Sequence, residues 1–196
     1  PADSLNAPAL RQARYYQTVA GRKLACRTLH AVRVRGLQSG TDYRYRIFSQ
    51  EVQSWPDVNN VTYGKTLDAD ASRRRAYEFR TFPQAGSGCS FIVLNDIHGK
   101  ADYMTRLCKS VDFSKLGFVA FNGDMSSSVE SGEQLFKAYL DASVSLFATG
   151  TPILFTRGNH ETRGIFADSL GDYFPGQDGR FYGIYRYGDV CILLLD

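Results

Sequence analysis

The chain has 196 residues, 43% of them apolar, and a formal net charge of +3. That is enough apolar material for two small cored domains. The lysines and arginines are spread rather than gathered on one recognisable motif, which argues against a nucleic-acid groove, and no apolar run reaches membrane-spanning length.

Residues 1–83 alternate apolar and polar side chains over short stretches such as His30-Ala31-Val32-Arg33-Val34-Arg35 and Tyr43-Arg44-Tyr45-Arg46-Ile47-Phe48, with Ser39-Gly40 as a turn between them. Alternation gives a strand one buried and one wet face, so this part predicts a small antiparallel β-sandwich. Tyr43 is either a tyrosine whose hydroxyl fixes a strand corner or a core residue, and the core reading is preferred. The stretch from Val52 to Arg75, with Trp55, Pro56 and Arg73-Arg74-Arg75, is expected to be an irregular solvated loop; the alternative is a basic, aromatic loop that helps choose an anionic substrate. Residues 84–88 carry the Gly/Ser-rich composition of a linker, placing the first domain at 1–83 and the second at 89–196.

The second part predicts buried strands in FIVLNDIHG (91–99), FVAFNGD (118–124) and PILFTRGNHE (152–161), with helices at Tyr103–Val111 and Glu133–Phe147 between them. The second helix opens on Ser131-Gly132-Glu133-Gln134, a capping-box pattern, and places Leu135, Phe136, Tyr139, Leu140, Val144 and Phe147 on one stripe. A short helix at Ile165–Leu170 follows. Arg180–Tyr187 and Val190–Leu195 read as a hairpin about Gly188-Asp189. Strands alternating with helices imply an α/β sheet whose ligands gather beyond the carboxyl ends of its parallel strands.

Those strand ends carry metal-ligand chemistry. Asp96 and His98, one residue apart, can turn an oxygen and a nitrogen toward one ion; Asp124, after the permissive Gly123, can serve two ions; Asn159 offers an amide oxygen; His160 can protonate a leaving oxygen. Mixed oxygen and nitrogen donors suit manganese, iron, zinc or cobalt better than calcium. Arg157 and Arg163 flank the histidine and are candidate contacts to phosphate oxygens. Glu161 is a candidate to orient His160 through a hydrogen bond.

In their order and type, the DIH, GD and GNHE motifs resemble the calcineurin-like metallophosphoesterases, which include the purple acid phosphatases. The resemblance implies the first part of an αββα sandwich and a phosphoester hydrolase with two metal ions and a metal-activated water. It makes Asp96 and His98 ligands of the first metal, Asp124 the bridge, Asn159 a ligand of the second metal, and His160 the catalytic histidine. Purple acid phosphatases carry a tyrosine where this chain has Ser127 and lack the histidine that His98 supplies, so no tyrosinate-bound ferric site is expected. The family completes its centre with further histidines, whereas this chain has only His30, His98 and His160 and stops at Asp196 after an apolar run. It is therefore expected to be a fragment, a poor hydrolase alone.

HAVRVRGLQSGTDYRYRIFSQ and YEFRTFP (77–83) resemble the fibronectin type III domain that precedes the catalytic domain in purple acid phosphatases. Secreted phosphatases share this module order, which implies a secreted or periplasmic protein. The expected partner is a small phosphorylated substrate, with no nucleic acid and no membrane span. A phosphodiesterase or nucleotide hydrolase of the same family remains the enzyme alternative, and a non-catalytic binding protein or pseudoenzyme the other if the chain truly ends at Asp196. Cys26, Cys89, Cys108 and Cys191 lack paired zinc spacing and are expected to be free, buried thiols.

Overall fold

The structure, a computed structural model, describes residues 29, 33–57, 60–68, 77–86, 88–176 and 179–196. Among the described residues the strands fall into four separate sheets. In the amino-terminal half, β1 (Asp42–Tyr45) pairs with β4 (Tyr77–Arg80), and β2 (Phe48–Asp57) pairs antiparallel with β3 (Asn60–Asp68). The expected strand at 30–35 is not present at Arg33–Arg35, which are exposed and lie outside any strand, while His30–Val32 fall outside the described residues.

The stretch expected to be an irregular loop is largely the β2–β3 ribbon. Thr62, Tyr63 and Thr66, types that favour a pleated surface, face Ser54, Val52 and Gln50 in its ladder. Register irregularities between Gln50 and Val52, Val52 and Ser54, and Ser54 and Asp57 accommodate Pro56, which has no N–H to give a regular ladder. Arg73–Arg75 lie outside the described residues.

Tyr43 combines the two roles. Its hydroxyl accepts the Gln38 backbone N–H at 2.8 Å, and its half-buried ring stacks on Phe79 with centroids 5.7 Å apart. A phenol with one apolar face and one polar tip can serve both packing and corner.

The chain divides into two compact units, one of residues 1–37 and 44–77, the other of 38–43 and 78–196. Residues 78–83 thus group with the larger unit, for a visible reason. Phe82 packs on Tyr187 and Phe118 at centroid distances of 4.9 and 6.1 Å, the Pro83 carbonyl accepts the Gly188 N–H at 2.9 Å, and Gly86 N–H donates to Asp189 at 3.1 Å. The glycine-rich stretch is thereby tied to the turn of a carboxyl-terminal hairpin.

Within the larger unit, β5 (Phe91–Leu94), β6 (Phe118–Asn122) and β7 (Ile153–Thr156) form a parallel sheet in the order β5-β6-β7. Phe118, Val119 and Phe121 of the central strand are at most 1% exposed, as a strand covered on both faces requires. Helix α1 (Ala101–Leu107) contributes Met104 to the core. It ends before Val111 because Asp112 starts a tighter turn at Phe113–Lys115, accepting the Ser114 N–H and hydroxyl.

The long helical run comprises α2 (Gly132–Leu135), a π-type turn at Phe136–Leu140, α3 (Asp141–Ser143) and a second π-type turn at Val144–Ala148. Ser131 caps it, its hydroxyl accepting the Gln134 N–H at 3.1 Å. Leu135, Ala138, Tyr139 and Phe147 are buried. Full burial of an aromatic such as Phe121 or Tyr139 contributes on the order of 2–3 kcal/mol, so this face fixes the helix on the sheet.

After the histidine loop, the helix expected from Ile165 starts later, as a 3-10 turn at Ala167–Ser169 running into α4 (Leu170–Tyr173). Gly164 has φ +97°, a backbone unsuited to helix entry, and Ile165 is 94% exposed. Strands β8 (Gly183–Tyr187) and β9 (Val190–Leu194) pair antiparallel as the expected hairpin. β9 reaches the end of β7 through Thr156, whose hydroxyl donates to the Leu195 carbonyl at 2.7 Å. Of the cysteines, Cys108 is buried and Cys89 half-buried, but Cys191 is exposed because it stands on the outer face of β9; Cys26 lies outside the described residues.

Candidate metal centre

Three parallel strands end side by side, and the loops leaving them are laced together by backbone hydrogen bonds. Asp96, His98 and Gly99 donate their N–H groups to the carbonyls of Gly123, Asp124 and Met125 at 3.3, 3.0 and 2.8 Å. The ladder between β5 and β6 thereby continues past the strands and carries the first motif to the second.

Among the described residues, three non-glycine residues have positive φ: Asp96 at 55°, His98 at 52° and Asp124 at 54°. Left-handed backbone costs a residue with a Cβ roughly 1–2 kcal/mol, and such geometry persists only where the surroundings impose it. All three were singled out in the sequence as metal ligands. Leaving the extended conformation at Asp96 and His98 bends the chain away from the line of the strand where the first motif meets the loop of Asp124.

One ligand atom each from His98, Asp124 and His160 lie within 4.8 Å of one another. Asp96 joins them through an Oδ1 3.5 Å from His98 Nε2. The two imidazoles meet edge to face, their centroids 4.6 Å apart. This donor set, one carboxylate and two imidazoles on half-buried residues with a second carboxylate alongside, fits a divalent transition ion held by oxygen and nitrogen.

His160 is held at two points. Its backbone N–H donates to Asp124 Oδ1 at 3.1 Å, and its Nδ1 lies 2.8 Å from the Ser127 carbonyl. A carbonyl can only accept, so Nδ1 carries the hydrogen and Nε2 is the nitrogen left for chemistry. Arg163 Nη1 lies 3.2 Å from Nδ1 and 3.4 Å from Nε2, against the ring. The Ser127 hydroxyl donates to the His98 carbonyl at 3.4 Å, so this residue contacts both histidines. The sequence offered Ser127 only as a replaced tyrosine; its part in orienting His160 runs through a main-chain carbonyl, which no side-chain pattern announces.

Asn159 and Arg157 are the remaining sequence candidates. Asn159 is exposed between Gly158 and His160, its carbonyl accepting the Thr162 hydroxyl at 2.8 Å. Arg157 turns to the end of β9: Nε donates to Asp196 Oδ1 at 2.7 Å, Nη2 donates to Asp196 Oδ2, and the guanidinium lies over the Phe181 ring at 4.3 Å. The pairing holds the Asp196 carboxyl below its ordinary range and pushes Arg157 up.

Glu161 does not take the histidine. Its carboxylate, fully buried, accepts the N–H groups of Asp124, Gly158 and Ser126 at 2.7, 2.8 and 3.0 Å. Gln134 braces the same loop: its Nε2 donates to the Ser126 hydroxyl and to the Ser128 carbonyl, each at 2.8 Å, and its Oε1 accepts the Glu130 N–H at 3.2 Å. The capping-box pattern flagged Gln134 as a helix start but not as a support for the Asp124 loop.

The model of the calcineurin-like phosphoesterase family matches residues 89–192, just over half of the chain. No curated protein matches the chain. The family match covers the ends of β5, β6 and β7, and its chemistry, metal-dependent hydrolysis of phosphoesters, needs donors of the kind that gather around His98, Asp124 and His160. On that ground the chain belongs to the calcineurin-like phosphoesterase family.

Proposed function

We propose that the protein is a phosphomonoester hydrolase working with two divalent ions at this centre. The observation that carries the reading is the convergence of His98, Asp124 and His160, with Asp96 beside them, at the carboxyl ends of parallel strands. Asp96 and His98 would hold the first ion, Asp124 would serve both, and Asn159 would serve the second. Ions held there polarise phosphoryl oxygens and bring the pKa of a water toward neutrality. His160, its Nδ1–H fixed by Ser127, presents Nε2 to the leaving oxygen and, in the doubly protonated form of the ring, gives it the Nε2 proton, leaving the neutral Nδ1–H imidazole. Arg163 lies beside that nitrogen and meets the phosphate, whereas Arg157 supports the loop through Asp196.

The second ion has few donors among the described residues, so the 196-residue chain alone binds it weakly and turns over slowly. A fibronectin type III-like amino-terminal domain, and with it the module order of exported phosphatases, rests on the resemblance carried by HAVRVRGLQSGTDYRYRIFSQ and YEFRTFP.

Titration of chelator-stripped protein with manganese, followed by aryl phosphate hydrolysis, tests the reading. Asp124→Asn should abolish both binding and turnover, and Arg163→Ala should cost less than Asp124→Asn. His160→Asn should leave metal stoichiometry intact while removing most of the turnover. Loss of an ion in His160→Asn would make this histidine a ligand instead of an acid, and failure of the unaltered protein to bind manganese, cobalt or zinc would remove the metal centre altogether.

A further inference from the structure

A carboxylate with no exposed surface is costly unless something compensates its charge. Glu161 is 0% exposed, and among the described residues no lysine or arginine forms an ion pair with it. Its compensation is three main-chain N–H groups from two loops: Oε2 accepts Asp124 at 2.7 Å and Gly158 at 2.8 Å, and Oε1 accepts Ser126 at 3.0 Å. Charge-assisted bonds of this kind are the stronger ones, so the carboxylate acts as a clamp between the loop after β6 and the loop after β7.

The clamp grips the residue that most needs it. Asp124 stands in left-handed backbone, at φ 54°, and its carboxylate oxygen accepts the His160 N–H at 3.1 Å. Space between the loops is already minimal: a Cβ on Gly158 would lie 2.1 Å from Asp124 Oδ1, and one on Gly123 would lie 2.6 Å from the Gly158 nitrogen. The loops touch through bare backbone, and Glu161 fixes them there from the interior side.

We propose that Glu161 is the positioning residue of the metal centre: its buried carboxylate, by accepting the N–H groups of Asp124, Ser126 and Gly158, holds the two loops in the arrangement that brings Asp124 within reach of His98 and His160. The proposal rests on the reading above, with Asp124 and His98 as metal ligands and His160 as the acid beside them. Glutamine at this position would have the right size and the wrong chemistry. It has one acceptor oxygen for N–H groups that now use two, so at least one N–H would face an NH2 group, and the negative charge behind the centre would be gone.

The test compares unaltered protein with Glu161→Gln, both stripped of metal, by manganese titration calorimetry, the visible spectrum of added cobalt(II), and thermal unfolding. The expected result is a folded variant whose manganese affinity falls roughly 10–100-fold, the range for loss of a group that orients metal ligands, with a changed cobalt spectrum. A role confined to stability would lower the unfolding midpoint and leave the spectrum of the folded protein as it was. Unchanged affinity and spectrum in a folded variant would overturn the proposal while leaving the metal centre standing; absence of binding by the unaltered protein would overturn both. If the variant does not fold, amide hydrogen exchange of the unaltered protein decides. The Asp124, Ser126 and Gly158 protons should then be protected as one group and slow further with zinc, and three unrelated rates without response to zinc would overturn the proposal.

Discussion

His98 carries an imidazole on a backbone that suits glycine, at φ 52°, and this is where stability and function part. His98→Gly relieves a left-handed strain worth roughly 1–2 kcal/mol and gives up about 0.5–1 kcal/mol in chain entropy. The metal-free protein should therefore gain no more than about 1.5 kcal/mol of stability in urea unfolding, while its manganese affinity collapses. A large loss of metal-free stability would show that the imidazole contributes to packing as well as to ligation. Tyr139 presents the opposite case. Its ring is buried against Phe121, centroids 5.8 Å apart, yet its hydroxyl is buried without a hydrogen-bond partner among the described residues. Burial, with the Glu161 charge adding to it, pushes the phenol well above its ordinary range, so the group stays neutral at any working pH. Tyr139→Phe removes an unmet polar group and keeps the ring, and should leave urea stability unchanged or raise it slightly.

At the scale of elements, the centre depends on how closely two loops can pass. Gly158→Ala places a methyl where Asp124 Oδ1 now lies, and the neighbouring atom it would meet next is the Asp124 nitrogen at 2.7 Å. Overpacking of this kind costs roughly 1–3 kcal/mol, visible as a lower unfolding midpoint. Because the displaced group is a ligand, manganese affinity should fall further than stability, and calorimetry on the folded variant checks it. The helical run is tied to the same loop. Ser131→Ala removes the cap that accepts the Gln134 N–H and should cost about 1 kcal/mol in urea unfolding. It should have little effect on metal binding as long as Gln134 keeps its bonds to Ser126 and Ser128.

On the scale of the larger unit, the hairpin β8–β9 is not paired by a ladder to the parallel sheet; it is fastened at the end of β7 by Thr156 with Leu195 and by Arg157 with Asp196. The second contact is pH-dependent. Asp196 has its folded pKa lowered by Arg157, so its contribution is fully present above the unfolded value of about 4 and is lost as pH falls through the folded value. Asp196→Asn should therefore cost up to about 1 kcal/mol at pH 7, a figure kept small by partial exposure, and the difference from unaltered protein should shrink steadily as unfolding is measured at lower pH through the acid range. A difference that persisted in acid would mean that shape, not charge, holds the hairpin. No helix among the described residues is long and apolar enough to cross a membrane.

By itself the sequence determined the strand–helix order of the larger unit and the residues that gather at its strand ends, because both follow from local rules: apolar runs make buried strands, and side chains at the carboxyl ends of parallel strands must face one crevice. Asp96, His98, Asp124 and His160 were legible for that reason. The β2–β3 ribbon was not, since Pro56 and polar residues hid a ladder that tolerates them through irregular register. Nor were the end of the amino-terminal unit before Glu78, the commitment of Arg157 to Asp196, or the three N–H groups on Glu161. Each of these joins partners 30 to about 100 residues apart, or uses main-chain atoms that every residue carries alike. Such contacts leave no period and no residue-type signature in a chain, and only the packing of the strands into one sheet decides which of them can form.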